Sequence, residues 1–339
     1  MENTRFQAFF RRSLEATQNQ IAISGRDGDM TITKSPVVNH TTGSAKKKKR
    51  PWHLTLFALP LMIYLFFFQY VPLFGWYLAL IDFTPGIPIL QSEFVGLRYF
   101  QLFFTGVNFS RVLGNTLIFA FLQFLALPLP MLFAILLNEI GSQKYRRFAQ
   151  TVSTLPHFIS WIVVFSLSFA MFSSHGMLNN LLAFFGLEGQ SVLTDSGAVY
   201  WFQTLMWLWK GLGWSAIIYI AAIAGLDQEL YEAAAVDGAG RFRCAIHITV
   251  PGLMPTFVVL MILNVSHFVN TGLEQYFVFR NAFTAANIEV IELYTFRMGL
   301  QLFDFSYATA IGVFRSVVSV MLLFTANFVG KMIRGKSIF

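Results

Sequence analysis

The chain has 339 residues, of which 55% are apolar and only 12% charged, and phenylalanine alone occurs 39 times. A soluble domain carries about twice that share of charge and needs polar surface to cover its core, so the expected solvent is lipid rather than water. The formal net charge of +7 does not point to nucleic acid, because ten of the 24 basic residues precede Trp52 and most others fall between apolar runs, which is the distribution of a topology signal.

Residues 1–45 are polar and rich in Ser, Thr, Asn and Gln, and predict a largely disordered cytoplasmic tail with a short helix near 6–14. The run Lys46-Lys47-Lys48-Lys49-Arg50 follows. Beside a membrane span such a run holds the first helix against anionic lipid, a better reading than a nuclear signal or a nucleic-acid patch. The first apolar run starts too late for a signal peptide, and no small-residue cleavage site follows it. The single cysteine, Cys244, cannot form an intrachain disulfide and reads as a small filler.

Six apolar stretches come next, at about 54–73, 113–137, 148–172, 199–223, 253–278 and 307–329. About twenty apolar residues cross a bilayer as a helix. Helix is the form expected, since backbone groups in lipid must bond within the segment. Barrel strands alternate apolar and polar residues, and Phe66-Phe67-Phe68 and Ala134-Ile135-Leu136-Leu137 do not. Six spans put both termini on one side. With the termini inside, the inner segments hold eighteen basic residues and the outer loops four, namely Arg98, Arg111, Arg280 and Arg297; this predicts cytoplasmic termini. Trp52, Trp76, Trp161 and Trp201 near the span ends suit the lipid–water interface. The fold class is therefore all-α, a polytopic protein with six transmembrane helices. Its expected parts are a cytoplasmic tail at 1–50, the first span and first outer loop at 51–112, a five-span core at 113–333 with a cytoplasmic loop at 226–252, and a cytoplasmic end at 334–339.

That inner loop, between the fourth and fifth spans, is too long for a turn and too polar to span. It reads Glu229-Leu230-Tyr231-Glu232-Ala233-Ala234-Ala235-Val236-Asp237-Gly238-Ala239-Gly240, then Arg241 to Pro251. Alanines and acids favour a short helix, whose small side chains leave one face low for another protein. Gly238 and Gly240 allow a sharp exit turn. A second short helix from about 241 to 248 is expected to end before Pro251. The pattern E-A-A-x-x-D-G-A, then G, then I-T-x-P, resembles the EAA loop of binding-protein-dependent ABC importer permeases. Asn115-Thr116-Leu117, Leu155-Pro156-His157-Phe158-Ile159-Ser160-Trp161, Trp209-Lys210-Gly211-Leu212-Gly213-Trp214, Ser306 to Gly312 and Ala326-Asn327 are similar to the carbohydrate-type members. They most resemble the LplB-like polysaccharide permeases, relatives of the alginate importer. The resemblance runs from about Trp52 to the C-terminus. Val313 and Arg315 depart from it.

By that resemblance the loop is a coupling helix seated on an ATPase subunit, with Glu232, Ala233, Ala234, Asp237, Gly238 and Gly240 as the contact residues. The resemblance also implies the partners: a second homologous permease, an ATPase dimer that carries the ATP and Mg, and an extracytoplasmic solute-binding protein. The cargo is an oligosaccharide or polysaccharide fragment, crossing the bacterial cytoplasmic membrane. This chain is then a non-catalytic subunit with no cofactor of its own and no nucleic-acid partner. Outer loops at 74–112, 173–198 and 279–306 offer a landing surface for the binding protein, or simply connect and shield the spans.

Polar groups in lipid face protein or water. Asn264, His267, Asn270 and Glu274 fall on about a third of one helix circumference in the fifth expected span. Gln123 stands alone in the second span, Lys210 is mid-span in the fourth, and Thr309, Ser316, Ser319 and Asn327 line the sixth. Amides, hydroxyls and imidazole suit sugar hydroxyls, and a cation suits a uronate. The same groups also serve bonds between helices, so both readings stand at this point. Lys210 and Arg315, inside spans, are expected to pair with acids or carbonyls.

Several patterns carry nothing. Gly330 to Ser337 fits the phosphate-loop letters, but a membrane span precedes it where a buried strand is required. Asn108-Phe109-Ser110 is a glycosylation sequon without consequence in a bacterium. His157, His175, His247 and His267 are too scattered for zinc. Glu289 and Glu292 stand three apart near an outer interface with nothing to join them, which gives little support to an enzyme acting on lipid-linked sugars. An ion-coupled secondary transporter of a small polar solute is the main alternative, though no internal repeat supports it. A third keeps the machine and changes the cargo.

Overall fold

The computed structural model describes residues 52–187, 189–266, 269 and 272–334. The tail, the expected helix at 6–14, the basic run at 46–50, His267 and Asn270 lie outside the described residues. The chain forms two compact units, Met1–Ala58 and Leu59–Phe339. Of the first, only the helical residues from Trp52 onward are described; the helical bundle belongs to the second.

Six stretches are long and apolar enough to cross a membrane: Leu56–Leu80, Val107–Asn138, Trp161–Phe184, Val199–Ala224, Arg241–Val265 and Phe305–Phe328. The helical class holds. Among the described residues the only strands are Ile81–Asp82 and Glu93–Phe94, an antiparallel pair between the first and second spans.

Two expected ends move because of proline. A helical proline lacks an N–H and its ring collides with the carbonyl four residues back. The chain meets Pro72 and Pro251 in the same way, by widening the turn just before each. The Val71 N–H bonds to the Phe66 carbonyl, and the Val250 N–H to the Ala245 carbonyl, both five residues back. These π turns relieve the clash. The first helix therefore continues past 73 as a tight 3-10 stretch to Leu80. The short helix expected to stop before Pro251 instead runs unbroken from Arg241 through the π turn to Ser266. The fifth span is therefore 241–266, not 253–278. At Gly272 the backbone takes φ +94°, a conformation that glycine enters freely, and a separate helix, Leu273–Phe279, begins. Glu274 thus leaves the polar stripe on which the sequence put it.

The third crossing is interrupted. Gln143–Thr154 is a helix, Leu155–Phe158 a 3-10 turn, Ile159 and Ser160 are extended, and a new helix starts at Trp161 with Ser160 as its cap. The apolar stretch Trp161–Phe184 is itself two helices, Trp161–Phe172 and Met177–Phe184. The antiparallel partner decides which part crosses. Ser153 lies against Gly213, His157 against Lys210, and Phe172 against Phe202. The crossing thus runs over about 143–172, close to the expected 148–172, with its break near the middle.

Three buried clusters hold the bundle. Met131, Ala134, Ala216, Tyr219 and Leu253 join the second, fourth and fifth spans on the side of the 225–240 loop. Phe119, Val164, Phe202, Tyr276 and Ile288 lie toward the far side, as do Phe103, Val112, Ile291, Tyr294 and Tyr307. The two far-side clusters draw on residues 273–301, of which 273–278 were expected to end the fifth span and the rest to lie in the outer loop at 279–306. Ile288, Val290, Ile291 and Leu293 are fully buried. Asn115 and Thr116 clamp it: the Asn115 amide donates to the Ala286 and Glu289 carbonyls at 2.8 and 3.1 Å and accepts from the Tyr200 hydroxyl at 2.7 Å. The Thr116 hydroxyl accepts from the Ile291 N–H at 2.9 Å.

Candidate coupling and translocation sites

The loop after the fourth span begins with Asp227, whose carboxylate accepts from the Glu229 N–H at 3.0 Å and caps the helix Gln228–Val236. The exit is a Schellman turn: the Ala239 N–H bonds to the Ala234 carbonyl and the Gly238 N–H to the Ala235 carbonyl, with Gly238 at φ +74°. Gly238 is thus required by the backbone. Gly240 has an ordinary extended conformation with open space where a Cβ would stand, so the turn makes no demand for glycine there. Glu232, Ala233, Ala234, Asp237, Gly238 and Gly240 are placed on or beside this helix; Glu232, Ala233, Asp237, Gly238 and Gly240 are exposed, and Ala234 and Ala239 are half-buried. Val236 and Phe242 are 88% and 80% exposed beside them. Small, acidic and bare apolar groups thus lie together on one exposed elbow.

The second site lies at the break in the third crossing. A broken helix frees carbonyls that lipid cannot satisfy. Lys210 meets one of them: its ammonium donates to the His157 carbonyl at 2.7 Å and sits 5.5 Å from the centre of the Trp161 ring. The His157 ring lies flat on Trp214, centroids 4.5 Å apart and planes 1° from parallel. Gly213 makes this approach possible, since a Cβ there would stand 2.2 Å from the Ser153 carbonyl oxygen. The Leu155–Trp161 and Trp209–Trp214 motifs therefore face each other. Glu274 acts on Lys210 electrostatically, but among the described residues Lys210 has no ion pair.

The other path candidates divide. The Gln123 amide donates to the Tyr276 hydroxyl at 3.3 Å, a bond between elements. The Asn264 amide bonds back to the Leu260 carbonyl at 2.8 Å on an exposed face. Thr309 and Ser316 donate to carbonyls of their own helix. The Ser319 hydroxyl is buried without a partner among the described residues. His267 and Asn270 were placed with Asn264 by the sequence and fall outside the described residues.

Of the ionic joints of the far side, sequence reasoning expected only that Arg315 would pair with an acid or a carbonyl. Glu289, 3% exposed, pairs with Arg297 and, at 3.4 Å, with Arg111. Glu292 pairs with Arg315 at 3.3 Å and accepts from the Gly272 N–H at 3.0 Å. These carboxylates do have something to join them, and it is arginine, in part from the second and sixth spans. The usable signal was Arg315 inside a span, which demanded an acid. On the same side, burial and a 2.7 Å bond to Asp82 push the Tyr99 hydroxyl up to about 12, so it remains a donor. A cavity of about 580 Å³ opens beside the cluster of Phe165 and Phe279, with Phe169, His175, Arg280 and Phe283 also among its walls.

Six crossing helices, a projecting small-residue elbow and a cation at a broken helix define a polytopic membrane permease. The chain belongs to the family of binding-protein-dependent transport system inner membrane components, which it matches over residues 126–334. It is 39% identical to protein LplB of Bacillus subtilis over 87% of this chain and 93% of that protein. It is equally identical, at 39%, to the polygalacturonan/rhamnogalacturonan transport system permease protein YteP of the same organism, over 88% of this chain and 96% of the relative. Its fold matches a chain in the crystal structure of a bacterial ABC transporter that imports the acidic polysaccharide alginate. The TM-score is 0.77 at 34% identity, covering 84% of this chain and 97% of the other. A second match is to the bacterial alginate transporter in complex with its alginate pentasaccharide-bound periplasmic protein, with TM-score 0.79 at 33% identity, covering 86% and 98%. The family membership decides against the ion-coupled alternative.

Proposed function

We propose that this chain is one of two permease subunits of an ATP-driven importer of acidic oligosaccharides in the bacterial cytoplasmic membrane, with both termini in the cytoplasm. The observation that carries this reading is the elbow at 228–240, held out between two spans with its small and acidic residues around Ala233 and Asp237 exposed. An ATPase dimer, which carries ATP and Mg, docks there, and its closure rocks the bundle between two states. A solute-binding protein delivers cargo to the far side, and the second permease completes the path. The chain itself performs no catalysis and binds no cofactor.

The acidic class rests on Lys210. Arg315 is neutralised by Glu292 at 3.3 Å, whereas Lys210, held by a carbonyl and a ring, has no carboxylate paired with it among the described residues and can meet one on the cargo. Relatives whose names carry polygalacturonan and alginate support the same class. Trp214 and the exposed Asn264 suit sugar rings and hydroxyls. The test is Glu232→Lys in the assembled transporter. Uptake is expected to stop and the ATPase subunits to be lost in a pull-down, with membrane insertion intact. Normal uptake in that variant would contradict the reading.

A further inference from the structure

We propose that a bond between Tyr231 and Thr249 is the tie through which movement of the short helix Gln228–Val236 reaches the fifth span, with Tyr231 as a positioning residue. The inference rests on the coupling reading above and names the side chains that stiffen it.

The two helices of the elbow are joined through the chain only by the turn at 237–240. Its backbone bonds close onto the first helix, from Ala239 to Ala234 and from Gly238 to Ala235. A turn of that kind is a hinge, and a push on the first helix would bend it. Tyr231 lies about 7 Å back along the first helix from the turn, and Thr249 about 12 Å along the second, at 1.5 Å per residue. Their hydroxyls meet at 2.9 Å. A link at that distance from the hinge makes a brace, so the two helices move as one body.

Thr249 is not disposed like most of the helical threonines. Thr105, Thr116, Thr154, Thr204, Thr309 and Thr325 each donate to the carbonyl four residues back in their own helix. Thr249 closes the π turn Ala245–Thr249, and its hydroxyl pairs with the tyrosine instead. At 3% exposure it is shielded from competing water. A second contact lies beside it: a Cβ at Gly252 would stand 2.7 Å from a Leu226 methyl. The foot of the fourth span therefore presses on the fifth just above the tie. Pro251 forces the π turn, the turn frees the Thr249 hydroxyl, and the hydroxyl braces the elbow.

The test uses the complete transporter, with its partner permease, ATPase subunits and binding protein, reconstituted in liposomes. Tyr231→Phe and Thr249→Val each remove one hydroxyl. Each is expected to retain the ATPase subunits and to lower cargo moved per ATP hydrolysed by roughly two- to tenfold, the effect of one net hydrogen bond. The double variant is expected to be no worse than either single, and Thr249→Ser to keep the wild-type ratio. A wild-type ratio in both single variants would overturn the proposal, as would losses that multiply in the double variant, or release of the ATPase subunits by either single. Glu232→Lys, run in parallel, separates the two ideas. If it releases the ATPase while the hydroxyl variants couple normally, only the tie fails; if it leaves uptake unchanged, the coupling reading fails with it.

Discussion

A lysine inside a bilayer persists only where protein or water meets its charge. Lys210 meets a main-chain carbonyl at 2.7 Å and an indole face, partners that hold the ammonium without neutralising it. Replacing it by Gln is therefore expected to lower uptake of a uronate oligosaccharide about tenfold more than uptake of a neutral oligosaccharide of the same length, since a bond to a charged group is worth about 1.5–3 kcal/mol. Competitive uptake of the two cargos measures this, and equal losses would remove Lys210 from cargo recognition. Asn115 illustrates the opposite case, a polar residue spent on the fold. Its amide serves two carbonyls and a hydroxyl. At about 0.6 kcal/mol per bond between membrane helices, Asn115→Ala is expected to destabilise the protein by about 2 kcal/mol, read as a lower melting temperature of the purified transporter. The sequence marked Lys210 as a charge inside a span and Asn115 only as part of a motif. It did not show which was structural, because that depends on partners such as Ala286 and His157 that are far away in the chain.

At the scale of elements, six crossings were readable because a twenty-residue apolar window is set by bilayer thickness alone. Their ends were not. Pro251 carries a local rule against helix, and the rule was overridden by a π turn that needs no special residue. Gly272 carried the converse signal, a left-handed turn that cut the expected fifth span, but one glycine in an apolar run is too common to read. The motif Trp209–Trp214 contains a glycine whose role only packing shows. A side chain at Gly213 collides with the Ser153 carbonyl, while Gly211 has open space. Gly213→Ala is expected to cost about 1–3 kcal/mol, the penalty for forcing extra volume into a packed contact. Gly211→Ala is expected to stay within about 0.5 kcal/mol. Thermal unfolding of the two purified variants distinguishes them, and equal stabilities would contradict the assigned contact.

Across the whole bundle, the described chain leaves much apolar surface uncovered. Phe57, Phe74 and Phe324 are 89%, 79% and 69% exposed, and in the first span only Leu78, Ala79 and Leu80 are less than largely bare. Lipid and a second permease are the proposed cover. The bundle is firm at both ends. On the far side, residues 273–301 lock into the second, fourth and sixth spans through Asn115, Glu289 and Glu292. On the other side, Leu253 and Tyr219 fix the elbow's root. Between them the third crossing is broken beside Lys210. Two firm ends around a polar break suit a body that rocks as a unit while cargo passes its middle. The elbow was legible from sequence because its small and acidic residues form one contiguous string. The far-side core was not, because its buried residues come from a segment whose short helices look like a loop. Dependence on a separate ATP-driven motor is tested by uptake of a labelled uronate oligosaccharide into liposomes holding the whole transporter, with binding protein outside and ATP inside. Uptake is expected to need both and to stop with Glu232→Lys. Uptake driven by an ion gradient into liposomes holding the two permeases without an ATPase would contradict the proposed coupling.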